Sequence, residues 1–145
     1  MSDDRTAETA STEKPVRDVA AAVIQDEAGR VLLLQRGSTA PTFPEHWGVV
    51  TGYLDAGETP AQAALREIAE ELNVTGRVLR AGEPFLVDIG RATVRVWPLL
   101  CALDDPGAIR LADENQRFTW AFVPDALARP TVPQLDQDFR ALGLL

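Results

Sequence analysis

Three glutamates, Glu67, Glu70 and Glu71, stand at i, i+3 and i+4 in the chain. On a helix, with about 100° of turn per residue, those three side chains share one face. Carboxylates held that close repel one another, and a hard dication removes the repulsion while gaining oxygen ligands. Magnesium and manganese suit carboxylate and water donors. Glu58 adds a fourth acid just upstream, on a stretch that contains Gly52 and Gly57. Glycine there lets backbone approach a bound group or adopt positive φ, so a loop carbonyl can join a metal shell. The free amides of the helix's first turn can hold a carboxylate or a phosphate. Arg66, one residue before Glu67 and four before Glu70, can pair with Glu70 or a loop acid and steady the carboxylates. On spacing alone, a helix whose acidic face merely meets water stands beside this metal reading.

The elements that must carry these residues are readable in outline. Thr59 caps a helix, Pro60 fits its first position, and Gln62 completes a capping box. Ala61, Ala64, Leu65, Ile68 and Leu72 form its apolar stripe, and Asn73 closes it, since asparagine tolerates the left-handed conformation. Upstream, Val19 to Ile24 and Val31 to Leu34 read as two strands of a hairpin across residues 25–29. Residues 37–46, with Gly37, Pro41 and Pro44, form a loop before a strand from Trp47 to Val50. Downstream come weak strands within 74–87, a turn at 88–91 and a strand from Thr93 to Leu103. Pro98 conflicts with the last of these, because it has no ladder donor, and marks a bulge or an edge. A polar loop over 104–116, a strand from Phe118 to Val123, a helical turn at 124–128 and a closing helix over 135–142 complete the pattern. Residues 1–15 are polar and read as a disordered tail, leaving 16–145 as a single domain.

The bulk composition narrows the class. The chain has 145 residues, 46% of them hydrophobic, which suits one core. Its formal charge of −8 argues against a protein that grips long nucleic acid by its backbone, though not against a nucleotide held through metal. Apolar runs are too short to span a bilayer, and the N-terminus lacks a secretory pattern. The single cysteine, Cys101, forms no intrachain disulfide and reads as a buried strand residue. These features favour the cytoplasm and no membrane partner.

The run from Gly52 to Glu58, then Arg66-Glu67-Ile68-Ala69-Glu70-Glu71 and Val74, resembles the Nudix box. Every fixed charged position of that family's pattern is filled at the right interval. Asn73 replaces a usual glycine, and Val50 and Thr51 replace the proline and glycine that often precede Gly52. The resemblance implies an α/β fold, an α/β/α sandwich with a mixed, partly closed β-sheet between helices. It implies a pyrophosphohydrolase that cuts a diphosphate linkage in a nucleoside di- or triphosphate, or in a nucleoside diphosphate joined to another moiety. Mg2+ or Mn2+ is the implied cofactor, a small nucleotide the implied substrate, and a homodimer is plausible as in many relatives. Carried over by position, Glu67, Glu70 and Glu71 resemble metal ligands, with the Thr51 carbonyl a further donor. Glu58 resembles a support or water-mediated ligand, and Arg66 the residue that orients the acids.

The base that accepts a proton from water is Glu67 or a residue of the later polar loop, where Glu114 has Asp113 and Asn115 as neighbours. Asp104 and Asp105 read as turn residues, and His46 as structural. Phe43, Trp47, Tyr53, Phe85, Phe118 and Trp120 are candidates for stacking a base, and Arg36 and Arg95 for meeting phosphate. The alternative function is a nucleotide-binding regulatory module with weak or no catalysis, motivated by Val50, Thr51 and Asn73.

Overall fold

A computed structural model describes residues 14–145; most of the expected N-terminal tail lies outside them. The chain runs β1 (Val16–Ile24), β2 (Val31–Arg36), β3 (Trp47–Gly48), β4 (Val50–Tyr53), α1 (Pro60–Leu72), β5 (Gly76–Ala81), β6 (Phe85–Asp88) and β7 (Thr93–Leu103). A 3-10 turn (Pro106–Ala108), β8 (Asn115–Ala121), α2 (Val123–Leu127) and α3 (Leu135–Ala141) follow. At the chain's entry, Lys14 Nζ sits 2.7 Å from an Asp88 oxygen, and the Pro15 carbonyl accepts from the Thr93 amide.

The strands form two sheets that do not close on each other. One has five strands in the order β4-β1-β7-β5, with β6 also on β7; the other is β3-β2-β8. The β1–β7 pair is parallel and the other pairs are antiparallel, so the five-stranded sheet is mixed. The expected hairpin of β1 and β2 is corrected here. The two strands belong to different sheets and share one bridge, Gln25 to Val31. The physical reason is burial on both faces: Ala20 to Ile24 and Val31 to Leu34 are all buried, so each strand needs its own neighbours. The strand expected over 47–50 also divides. Trp47 and Gly48 pair with β2, while Val50 to Tyr53 pair with β1, so the chain passes between sheets at Val49. The strand expected from Phe118 begins earlier, at Asn115.

Alternation along the strands sorts the core into two layers. Ala20, Ala22, Ile24, Leu32, Leu34, Leu99 and Cys101 meet the α1 stripe of Ala64, Ile68 and Leu72. Ala21, Val23, Val31, Leu33, Val94, Val96 and Leu100 meet Leu135, Phe139 and Leu142 of the closing helix. Helices therefore cover opposite faces, as the sandwich expectation requires. Pro98 sits inside β7, where one neighbour gives way to another: β6 pairs as far as Val96 and β5 from Leu99. Its carbonyl accepts from the Gly82 amide at 2.9 Å. The N and C=O of one strand residue face the same side, so the missing donor falls in that gap between ladders. Among the described residues, no helix is long and apolar enough to cross a membrane.

Candidate active site

Helix α1 is held at both ends by groups that also shape the site. The Thr59 hydroxyl accepts from the Gln62 amide at 3.1 Å, and the Gln62 side chain accepts from the Thr59 amide at 2.9 Å. At the other end Asn73 is left-handed, φ 56°, and its amide bonds the Ala69 carbonyl. Two further end carbonyls are met from far along the chain. The Arg110 amide donates to Leu72 O at 2.9 Å and the Ala112 amide to Glu71 O at 3.0 Å, while the Asn73 side chain donates to Arg110 O. This distant cap fixes the 110–115 loop against the helix end, which places Glu114 and Asn115 beside Glu71.

Arg66 is the hub of the acids. Its Nε donates to one Glu58 oxygen at 2.8 Å and its Nη2 to the other at 2.9 Å. Nη1 donates to Glu67 at 2.8 Å, and Nη2 also reaches the Tyr53 carbonyl at 3.0 Å. Of the two partners the spacing allowed, the loop acid has the tighter hold; Glu70 lies at 3.4 Å and its side chain is 57% exposed. The Arg66 fork, then the Asp55 amide at 2.9 Å, lower the Glu58 carboxyl to about 2. Glu58 is thereby occupied at both oxygens.

Glu67 packs on the Gly52 backbone. A Cβ added at Gly52 would fall 2.1 Å from Glu67 Cδ and Oε1, so only glycine leaves room for that carboxylate. Gly57 serves differently, with φ +78°. Gly52→Ala is expected to lower kcat by roughly 100-fold through displacement of Glu67, the scale for a misplacement of about 1 Å. Its Tm should change little, because Gly52 does not need positive φ; steady-state kinetics with thermal melts checks both.

Glu71 is 6% exposed. One oxygen accepts from Asn115 at 3.4 Å, and the other, Oε2, is buried without a partner. Burial first, then the neighbouring Glu67 carboxylate, then the charge of Glu114, push its carboxyl well above the usual range. Among the described residues, no group of three or more His, Cys, Asp or Glu side chains is gathered closely enough to hold a metal ion. Glu67 and Glu71 interact directly, while Glu70, 57% exposed, meets the same Arg66 Nη1 that holds Glu67. On the helical wheel Glu71 returns to within about 40° of Glu67, whereas Glu70 is rotated away toward solvent.

A cleft of about 870 Å³ opens beside this pair. Glu71, Thr51, Glu114 and Asn115 line it on the α1 side, and Gln134 and Asp138 on the α3 side. Arg36, Phe43 and Tyr53 are also in its wall. Arg95 pairs with Asp18 at 3.5 Å, and Trp47 is buried in the core beside α3. His46 bonds the Pro44 carbonyl, Asp104 accepts from Thr75, and Asp105 caps the 3-10 turn.

Asp138 went unnoticed in the sequence, although the signal was there. It falls on the inward stripe Leu135, Phe139 and Leu142, where an acid is out of place. It is 5% exposed, and burial, then the charge of Asp136, push its carboxyl up to about 7. The folded protein thus keeps a proton that the unfolded chain has lost, so this group's contribution falls as pH rises from about 4 to about 7. Asp138→Asn is expected to raise stability by on the order of 3–4 kcal/mol near pH 8 and by little near pH 4. Thermal melts across that range test the sign.

Comparison with known proteins identifies the family. A family model described as NUDIX domain matches residues 15–141. The chain is 33% identical over 106 residues to a bis(5'-nucleosyl)-tetraphosphatase of Caenorhabditis elegans, a match covering 69% of this chain and 74% of that protein. It is 36% identical over 128 residues to an octanoyltransferase of Myxococcus xanthus; 79% of this chain matches but only 33% of that longer protein. The crystal structure of a C. elegans Ap4A hydrolase binary complex superposes with a TM-score of 0.71 at 28% identity, covering 88% of this chain and 95% of that one. The chain belongs to the Nudix family.

Proposed function

We propose that the chain uses magnesium or manganese to hydrolyse a diphosphate linkage in a nucleoside di- or triphosphate, or in a nucleoside diphosphate joined to another moiety. One observation carries this reading. Among the described residues, the buried side-chain polar atoms without a partner are Arg36 Nε, Glu71 Oε2 and Asp138 Oδ1, and all three residues line the same cleft. A buried polar atom left unpaired costs about 1–3 kcal/mol, so three at one cleft point to a ligand that pairs them.

The donors present fit a hard cation. Glu67 and Glu71 face each other with a buried lone oxygen and mutual repulsion, and both are carboxylates. These two would hold the ion, with Glu70 and the Thr51 carbonyl as further donors. Bound there, a divalent cation supplies polarisation of phosphoryl oxygens and neutralises charge on the departing phosphate. Arg66 keeps Glu67 oriented, and Glu58 keeps Arg66 in place. Arg36 offers its unpaired Nε–H to a phosphate oxygen. Glu114 takes the proton of the attacking water; its carboxylate is exposed at the cleft and makes none of the described hydrogen bonds, whereas Glu67 is engaged by Arg66.

The cleft volume suits a nucleotide, and the C. elegans relative acts on a bis(5'-nucleosyl) tetraphosphate. A nucleotide panel with Mg2+ or Mn2+, resolved by product mass, tests the reading. Metal-dependent release of phosphate, diphosphate or nucleoside monophosphate is expected from at least one compound. Nucleotide binding without turnover across the panel would favour a regulatory module instead.

A further inference from the structure

Asn73 stands where the Nudix box usually has glycine, and its side chain makes a contact that glycine cannot. Its backbone is left-handed, φ 56°, as a glycine's would be, so closing α1 needs no side chain there. The side chain instead reaches a residue 37 positions later, where Nδ2 donates to the Arg110 carbonyl at 2.7 Å. The Arg110 amide in turn donates to Leu72 O at 2.9 Å. Both peptide planes of Arg110 are therefore held, by the consecutive residues Leu72 and Asn73. Two residues on, the Ala112 amide donates to Glu71 O at 3.0 Å, and Ile109 and Leu111 pack on the α1 side of the core. Glu114 follows this run. Its carbonyl accepts from the Gly37 amide at 3.2 Å, and the residue is exposed in the cleft wall. With no described hydrogen bond to its carboxylate, the direction of that side chain is set by the backbone on either side. Among the described residues, the Asn73 contact is the one side-chain hydrogen bond made to residues 109–114. It is exposed, so water can satisfy the Arg110 carbonyl when the bond is lost. Such a bond contributes little to stability and fixes the orientation of one peptide plane.

Resting on the hydrolase reading and on Glu114 as its base, we propose that Asn73 is a positioning residue whose side-chain amide holds the 110–114 segment so that the Glu114 carboxylate stays directed into the cleft beside Glu71. Two demands meet at this position. The backbone needs positive φ, which glycine, asparagine and aspartate accept. The Arg110 carbonyl needs an N–H donor, which of these three only the asparagine side chain carries. Glycine satisfies the first demand and leaves the carbonyl to water. Aspartate keeps the size of asparagine but turns an acceptor toward an acceptor. The two substitutions thus remove the same donor, keep the helix end, and differ from each other in bulk and charge.

The test compares the full wild-type chain with Asn73→Gly and Asn73→Asp by two readouts. Amide hydrogen exchange of the metal-free protein, followed by mass spectrometry over residues 110–116, should run roughly tenfold or more faster in both variants, with α1 unchanged. Steady-state kinetics with Mg2+ on ATP, GTP and a bis(5'-nucleosyl) tetraphosphate should show kcat lowered about tenfold at unchanged KM, with Tm little changed. The decisive comparison adds Glu114→Gln. In that background Asn73→Gly should have no further effect on kcat, because the group it positions is gone, whereas a purely structural role would lower it again. Unchanged exchange, unchanged kcat, or a loss that simply adds to that of Glu114→Gln would overturn the inference. Full activity of Glu114→Gln alone would sink the base assignment and this inference with it, and leave metal-dependent hydrolysis standing. Absence of turnover in wild type would sink the hydrolase reading, while the exchange measurement still judges the hold of Asn73 on the segment by itself.

Discussion

Glu71→Gln is expected to lower kcat by at least roughly 100-fold while raising the Tm of the metal-free protein by several degrees near pH 8. The two effects have one origin. Glu71 is 6% exposed, faces Glu67 and leaves Oε2 without a partner. Burial and the two neighbouring acids raise its pKa in the folded state, so its contribution to stability declines as pH rises above its unfolded value. Glutamine keeps the shape and the Asn115 contact and is neutral at every pH, so the variant escapes that pH-dependent loss. The same change removes the charge that a divalent cation would meet. A destabilised variant, or one with unaltered turnover, would contradict this account of the residue.

Arg66→Lys should lower kcat by about 10- to 100-fold with little change in KM. The arginine fork reaches both Glu58 oxygens, Glu67 and the Tyr53 carbonyl at 2.8–3.0 Å. One ammonium cannot span those acceptors, although it preserves the positive charge. The lysine variant therefore isolates geometry from charge. Loss of orientation at Glu67 affects the reacting centre, whereas the substrate's distal contacts at the α3 end persist, hence the split between kcat and KM. Full activity in the lysine variant would show that charge alone matters there. A matched loss in kcat and gain in KM would point to a general collapse of the cleft.

Local chemistry was legible in the sequence and distant contacts were not. The Thr59–Gln62 capping box and the left-handed Asn73 appear as expected, because each depends on residues within one turn. The Gly52 close approach was legible as a possibility; which side chain it admits was not, since Glu67 reaches it from a different element. The 110–115 loop read only as polar, because its role as a cap on α1 depends on contacts nearly forty residues apart. The division of 47–53 between two sheets escaped notice for a similar reason: both halves are apolar, and only their partners differ. Glu70 shows the limit of helical spacing as a guide. Three acids on one face meet different neighbours: Arg66 holds Glu67 and Glu58, Glu70 stays largely exposed, and Glu71 turns inward to Asn115. Asp138 is the opposite case, legible as an acid on an apolar stripe and overlooked beside a stronger motif.

Titration of Mn2+ into the metal-free protein, followed by the electron paramagnetic resonance of free Mn2+, tests the pairing of Glu67 and Glu71 most directly. Saturable binding is predicted in wild type, strengthened by nucleotide and weakened at least tenfold in Glu71→Gln. Equal binding by the two proteins, or none by wild type even with nucleotide present, would contradict a buried acid pair built for a cation.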